Sequence, residues 1–277
     1  MNEQDKPLTT LSNPANFQPL KLSFRKIISQ LRSYLKKKQF KGAFYHCLVT
    51  AVNINDSIFQ KKLKAKVYCP CCGYTGRAFL HLSNEYRIAW NSACPQCSSR
   101  SRHRGLSIYG QKIMGGESVS LKQILHFAPE PVLSQLFKKK EGIVYQTADL
   151  FLKDVDIPSQ NLESLTIPDA QYDLVICNHV LEHVKNDSKA VSELSRILKP
   201  GAFAWVTLPG NWDGEKTREY NHPDENGHHR HYGLDVMKIF EKYFSGVKQL
   251  DLHDVDGVDA GLSKGISKGE ILFILKK

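Results

Sequence analysis

Tyr172-Asp173-Leu174-Val175-Ile176-Cys177-Asn178-His179-Val180-Leu181-Glu182-His183-Val184 is the stretch that decides the fold of this 277-residue chain. Leu174 to Cys177 form a short apolar run after an acidic start, and the run stops on a polar Asn-His pair before a helical segment. A strand of this kind is buried on both faces of a parallel sheet, where ligands sit beyond the carboxyl ends of the strands. Alone, the stretch reads equally as a core strand with a capped helix or as a site.

The flanking segments repeat the pattern. Lys122 to Phe127 reads as a first strand, then the turn Ala128-Pro129-Glu130-Pro131 and a helix from Val132 to Lys139. Pro131 suits a first helical position, and Glu130 sits beside the positive end of the helix dipole. Gly142 to Thr147 is a second strand ending at Ala148-Asp149-Leu150, and a loop with Asp154, Asp156 and Asp169 follows. Val191 to Leu198 reads as a helix, Ala202 to Leu208 as a buried strand and Ile271 to Leu275 as a last strand. Strands alternating with helices predict an α/β domain on a parallel sheet.

Composition bounds the remainder. With 41% apolar residues the chain can bury a substantial core, enough for one ordinary domain and an accessory module. Met1 to Lys6 carry no basic-then-apolar signal pattern, and no segment reaches the ~18 apolar residues that span a bilayer, so a cytoplasmic protein is expected. The net charge of +10 is uneven. Residues 1–65 hold twelve Lys/Arg against three Asp/Glu, residues 66–105 six against one, and residues 106–277 twenty against twenty-four. An acidic partner would therefore meet the front end.

Seven cysteines, five of them clustered, point to metal chemistry in a reducing compartment. Cys69-Pro-Cys71-Cys72-Gly73 and Cys94-Pro-Gln-Cys97 present two Cys-x-x-Cys knuckles twenty-one residues apart, which is zinc-ribbon spacing. Zn2+ takes four thiolates tetrahedrally, and Gly73 permits the tight turn. The ligands read as Cys69, Cys72, Cys94 and Cys97, although Cys71 competes within its knuckle. Four thiolates leave no open position, so the ion is structural. Ala78 to Leu82 and Arg87 to Trp90 read as ribbon strands. Arg100, Arg102, His103 and Arg104 then form a basic cluster, read as a solvated linker in preference to a phosphate site.

Before the ribbon, Leu20, Phe24, Ile27, Ile28, Leu31 and Leu35 recur at helical spacing among lysines and arginines, a basic amphipathic helix. Packing against the protein itself is the first expectation; peripheral contact with an anionic membrane, or with nucleic acid, is the second. The segment through Pro19 is expected to be disordered.

The ordered motifs resemble a class I S-adenosylmethionine-dependent methyltransferase, and within that class a bacterial group with an N-terminal zinc ribbon. The resemblance covers roughly residues 66–277 and rests on the Cys-Pro-x-Cys ends, His126-Phe127-Ala128-Pro129-Glu130, Ala148-Asp149-Leu150, Tyr172 to His183 and Leu198-Lys199-Pro200-Gly201. It implies a Rossmann-like seven-stranded methyltransferase sheet preceded by a small zinc-ribbon module; with the basic N-terminal helix read above, the expected boundaries are 1–65, 66–105 and 106–277. One departure stands out: the first strand usually closes on a glycine-rich loop, and here that loop holds no glycine.

The resemblance also implies cofactor-binding roles for His126, Phe127, Ala128, Glu130, Asp149, Leu150, Asp156, Asn178 and His179. Asp149 would take the ribose hydroxyls and Asp156 the adenine amino group, with Asp154 competing. Glu130 would take the methionine amino group, and Asn178 with His179 would line the reaction centre. His179 is the best-placed base; His183, one turn on, is expected to pack or cap. A polar cluster from Asn221 to Gly233 follows a strand, so acceptor binding is assigned there to Arg230 and Tyr232. His228 with His231 has ligand spacing, but acceptor binding is preferred to a metal. The acceptor implied is a small molecule or a carbohydrate of surface-glycan biosynthesis. The competing class is an RNA- or protein-binding ribbon, RNA methyltransferases included, with Tyr74, Arg77, Tyr86, Arg87 and Trp90 available.

Overall fold

The computed structural model describes residues 24–59, 64–84, 86–115, 121–138, 140–255 and 263–277, and these fall into two compact units. One comprises Ala15–Gln111 with His253–Lys268; the other includes Lys112–Leu252 and Gly269–Lys277. This division differs from the expected 1–65, 66–105 and 106–277, because the ribbon unit takes in both the preceding helices and a segment from late in the chain.

In the ribbon unit, helices α1 (Phe24–Lys36) and α2 (Phe40–Phe59) precede four short strands, β1 (Val67–Tyr68), β2 (Thr75–Gly76), β3 (Leu80–Ser83) and β4 (Ile88–Ala93), and helix α3 (Ser101–Gly115) follows. The expected amphipathic helix is α1, whose Ile27, Ile28 and Leu31 are half-buried; Leu20, Lys21 and the tail before them lie outside the described residues. His46 of α2 reaches Ile27 O at 3.0 Å. The sequence reading did not mark α2. It is tied to β3 by reciprocal bonds, from Asn53 Nδ2 to His81 O (2.9 Å) and from His81 N to Asn53 Oδ1 (2.8 Å), and by Asp56 with Arg77. Ser263 bridges Val67, and Tyr68 N donates to Ser263 O at 2.9 Å, so the late segment lengthens the β1–β2 pair.

The larger unit holds β5 (Gln123–Phe127), α4 (Pro131–Lys138), β6 (Val144–Asp149), β7 (Ile157–Pro158), β8 (Tyr172–Asn178), α5 (Asp187–Ile197), β9 (Leu198–Thr207), β10 (Arg218–Glu219), β11 (Arg230–His231), α6 (Val236–Tyr243), β12 (Gly246–Asp251) and β13 (Ile271–Lys276). Seven of these strands form one sheet in the order β12-β13-β9-β8-β5-β6-β7, parallel except for β13, which is antiparallel to both neighbours. This is the expected Rossmann-like α/β sheet. The helix expected from Val191 starts earlier, because the Asn186 side chain accepts from Lys189 N and caps it.

The core lies on both faces of the central strands. Phe127, Val175, Cys177, Ala204, Val206 and Phe273 are buried with Leu194 and Ile197 of α5 and Phe240 of α6. Burying a large apolar side chain contributes about 1.5–3 kcal/mol. Register is specified by fit, since a one-residue slip would exchange the side chains packed on the two buried faces. The strand order reverses at β5 and β8, so the loops after them diverge and open a crevice beyond their carboxyl ends.

Candidate functional site

Five polar side chains line up across that crevice. His126, at 0% exposure on β5, cannot stay unpaired in an apolar layer. Its Nε2 donates to Glu130 Oε2 at 2.8 Å, and its Nδ1 lies 2.7 Å from the Tyr145 hydroxyl. Burial, with Glu130 and Asp156 nearby, pushes the Tyr145 phenol up despite a bond from Ser134, so Tyr145 stays a donor. Glu130 Oε2 also accepts from Asn178 Nδ2 at 3.2 Å, and Thr207 donates to Asn178 Oδ1 at 3.1 Å. The chain Tyr145–His126–Glu130–Asn178–Thr207 thus runs from the start of β6 to the carboxyl ends of β5, β8 and β9. His126, Glu130 and Asn178 are brought together; Tyr145 and Thr207 join them from other strands, and nothing in one sequence shows which neighbouring strands face each other.

Backbone geometry accounts for the missing glycine. Ala128 has φ +48° and His179 φ +50°, both in the left-handed region and both just past the ends of adjacent strands. Alanine, the smallest L-residue, makes the turn that glycine commonly makes, at a cost of about 1–2 kcal/mol. Phe127 is buried beneath it. His179 N donates to Thr207 O (2.9 Å), which fixes the ring beyond β8.

Asp149 ends β6. Its Oδ1 accepts from Phe151 N (2.7 Å) and Leu152 N (2.8 Å), and the exposed Leu150, Phe151 and Leu152 follow as an apolar ledge. Asp156 is anchored: its Oδ2 accepts from the amide and hydroxyl of Thr147 at 2.8 and 2.7 Å. Asp154 is exposed.

After β8 a short 3-10 turn, Leu181–His183, places Glu182 at 0% exposure. His179 Nδ1 lies 3.1 Å from Glu182 Oε1, without hydrogen-bond alignment. Over this turn folds the loop that ends in β11. Arg230 and Tyr232, expected to contact an acceptor, are spent inward instead. Arg230 donates to Val184 O (2.8 Å) and Lys185 O (2.9 Å) and pairs with Glu219 (2.9 Å). The Tyr232 hydroxyl lies 3.1 Å from Leu181 O. Both side chains are buried because the carbonyls at the end of the turn need donors, so they hold the loop in place and present nothing to an acceptor. The side chains that reach the mouth are His179, His183 and His228.

The ribbon centre is separate. Cys69 Sγ and Cys97 Sγ are 3.7 Å apart, as are those of Cys72 and Cys94, and the four sulfurs lie within 4.8 Å of one another. A tetrahedron with bonds of about 2.3 Å has edges of about 3.75 Å, so the thiols fit Zn2+. Gly73 and Ser98, each just past its knuckle, have φ +76° and +60°. Cys71 stands outside the set, with Sγ 3.6 Å from His103 O.

Arg104 corrects the reading of a solvated linker. It is wholly buried, stacks 4.2 Å over Phe79 and donates to Lys264 O (2.7 Å) and Gly265 O (2.6 Å). Gly265, with φ +61°, leaves no room for a Cβ, which would meet the Phe79 ring at 2.6 Å. Among the residues available for RNA, Arg77 is engaged by Asp56, while Tyr86 and Trp90 are exposed. No helix among the described residues is long and apolar enough to cross a membrane.

Comparison with known proteins gives partial matches. Residues 124–206 match the model described as "Methyltransferase domain". A "Probable S-adenosylmethionine-dependent methyltransferase" of Mycolicibacterium smegmatis is 42% identical over 55 residues, 20% of this chain and 21% of its own. The "Ubiquinone/menaquinone biosynthesis C-methyltransferase UbiE" of Hydrogenovibrio crunogenus is 39% identical over 69 residues, 23% of this chain and 27% of its own. This chain thus spans about a quarter of the length of the curated relatives it matches. A solved SAM dependent methyltransferase from Archaeoglobus fulgidus is 17% identical, with a TM-score of 0.43 over 62% of this chain and 93% of its own. The matched residues, Ile124 to Val206, run from β5 into β9 and include His126, Glu130 and Asn178.

Proposed function

We propose that this protein transfers a methyl group from S-adenosylmethionine to a small-molecule acceptor at the crevice between β5 and β8. The observation that carries the reading is the bond from Asn178 Nδ2 to Glu130 Oε2 across the ends of β5 and β8, where the sheet order reverses, within the stretch matched to the methyltransferase model. Asp149 would take the ribose diol through Oδ2, since Oδ1 is occupied by its own turn. The Leu150–Leu152 ledge offers apolar surface to a purine. Glu130, held by His126 and Asn178, would pair with the donor's ammonium group.

The bound donor supplies an activated methyl on a sulfonium. The protein's part is alignment of donor and acceptor and acceptance of a proton from a hydroxyl or amine. His179 is placed for that second task. Its backbone is fixed by the bond from His179 N to Thr207 O, and a free imidazole nitrogen would take the acceptor's proton as the new bond to carbon forms. A sugar hydroxyl suits the imidazoles of His179, His183 and His228, which can hydrogen-bond it, and surface-glycan synthesis is the context we favour. The cysteine centre would hold a structural Zn2+.

The test is calorimetric titration of S-adenosylmethionine into the full chain and Asp149→Ala. Micromolar binding is expected for the wild type and at least about tenfold weaker binding for the variant, the loss of one charged hydrogen bond. A wild type that binds no S-adenosylmethionine removes the reading.

A further inference from the structure

We propose a second metal centre, made by Glu182, His183 and His228, that takes a divalent transition-metal ion and holds an oxygen of the acceptor at the crevice mouth. The side chains come from two places. Glu182 and His183 lie on the turn after β8, and His228 on the loop clamped over it by Arg230. One ligand atom from each lies within 4.8 Å of the others, and the rings of His183 and His228 are 4.8 Å apart, edge to face.

The decisive observation is the carboxylate. Glu182 is wholly buried, yet neither of its oxygens accepts a hydrogen bond among the described residues. A carboxylate taken out of water normally has donors or a cation; His179 Nδ1, 3.1 Å from Oε1, is the near nitrogen and is not aligned to donate. The imidazoles are set for the complementary role. His183 Nδ1 lies 3.2 Å from Gly227 O, and His228 Nδ1 lies 3.3 Å from Asp224 Oδ2. With the protons on those nitrogens, both rings keep Nε2 for a metal, and a carboxylate behind a histidine is the arrangement that orients metal-bound imidazoles.

The donor set selects the ion. One carboxylate and two imidazoles suit Zn2+ and its neighbours in the first transition series better than Mg2+ or Ca2+, which prefer oxygen alone. Bonds of about 2.1 Å place tetrahedral ligand atoms about 3.4 Å apart, so loading would draw the three together by small side-chain rotations. Three protein ligands leave a position open, and His183 is exposed, so that position faces solvent. The ligand it fits is an oxygen donor such as a hydroxyl, beside His179. The four-cysteine centre is the opposite case, closed on all sides.

Co2+ titration of the full chain tests this without donor or acceptor, so its outcome is separate from the test of methyl transfer. The wild type is expected to bind about two equivalents, one with intense thiolate charge-transfer absorption and one with only weak d–d bands. A His183→Asn, His228→Asn double variant should keep the first equivalent and lose the second, retention of the thiolate band reporting that the chain has folded. Asp224→Asn, which leaves all three ligands in place, should weaken the second equivalent about 10- to 100-fold. A wild type with one equivalent only, or a second equivalent that survives the double variant, overturns the proposal.

Discussion

The cysteine centre draws its ligands from two knuckles whose spacing is written in the sequence, whereas the cluster around Glu182 joins a strand end to a loop more than forty residues farther along. In the first, backbone turns alone aim the sulfurs, and Gly73 and Ser98 make the same left-handed step. In the second, nothing local brings His228 to His183; Arg230 and Tyr232, buried beneath the loop, do so by bonding to Leu181, Val184 and Lys185. A centre set by local turns is legible early. One set by tertiary clamps becomes visible only when the clamps are.

The largest expected effect breaks the first half of this comparison. A Cys94→Ser, Cys97→Ser double variant should lose the structural metal and destabilise the ribbon unit by at least about 5 kcal/mol, because binding energy is folding energy at such sites. Metal content and thermal unfolding read it out. Unchanged zinc in the variant would refute the ligand assignment.

The second half breaks at Arg230. Arg230→Ala leaves the carbonyls of Leu181, Val184 and Lys185 and the Glu219 carboxylate without their cationic partner, an expected loss of about 3 kcal/mol in urea unfolding. Tyr232→Phe, which removes one bond, should cost about 1 kcal/mol. Losses below about 0.5 kcal/mol in both would mean that the loop is held by something other than its clamps.

These residues also mark where sequence reading stops. The sheet was legible because Leu125, Val175 and Ala204 lie in short apolar runs, and burial on both faces leaves a strand few alternatives. The crevice was legible in part: His126, Glu130 and Asn178 sit in recognisable motifs, but their bonding partners Tyr145 and Thr207 belong to other strands. Helix α2 was missed because Asn53 and Asp56 look like solvent-facing residues until His81 and Arg77 are seen against them. Arg104 and Arg230 misled in the same way. An arginine read as a surface or ligand-binding charge was in both cases the buried donor for a set of backbone carbonyls.

A smaller test uses the other end of β8, where no ligand is assigned. Burial alone would raise the Asp173 carboxyl, but the Lys199 ammonium and the amides of Gln123 and Lys122 outweigh it and hold the group below the ordinary carboxylate range. A depressed acid contributes stability above its unfolded value and loses that contribution as pH falls through its folded value. Asp173→Asn should therefore cost about 1 kcal/mol at neutral pH, a modest figure because Lys199 is partly exposed, and the gap from wild type should close below the carboxylate range. Denaturant unfolding at the two pH values checks it, and a gap that persists in acid would break the assignment. Cofactor and metal binding should not change, so the variant also separates stability from the site.

The smallest expected effect has the opposite sign and returns to the turn without a glycine. Ala128 stands at φ +48°, where an L-residue costs about 1–2 kcal/mol relative to glycine. Replacing it by glycine also frees the unfolded chain, which offsets about 0.4–1 kcal/mol of that relief. Ala128→Gly should therefore be neutral to about 1 kcal/mol more stable in urea unfolding, and should bind S-adenosylmethionine no more weakly, since glycine leaves more room for a ligand beside the strand end. A loss of stability above about 1 kcal/mol would show that the methyl group packs into the crevice wall, making alanine at 128 a structural choice of this chain and not a tolerated stand-in for glycine.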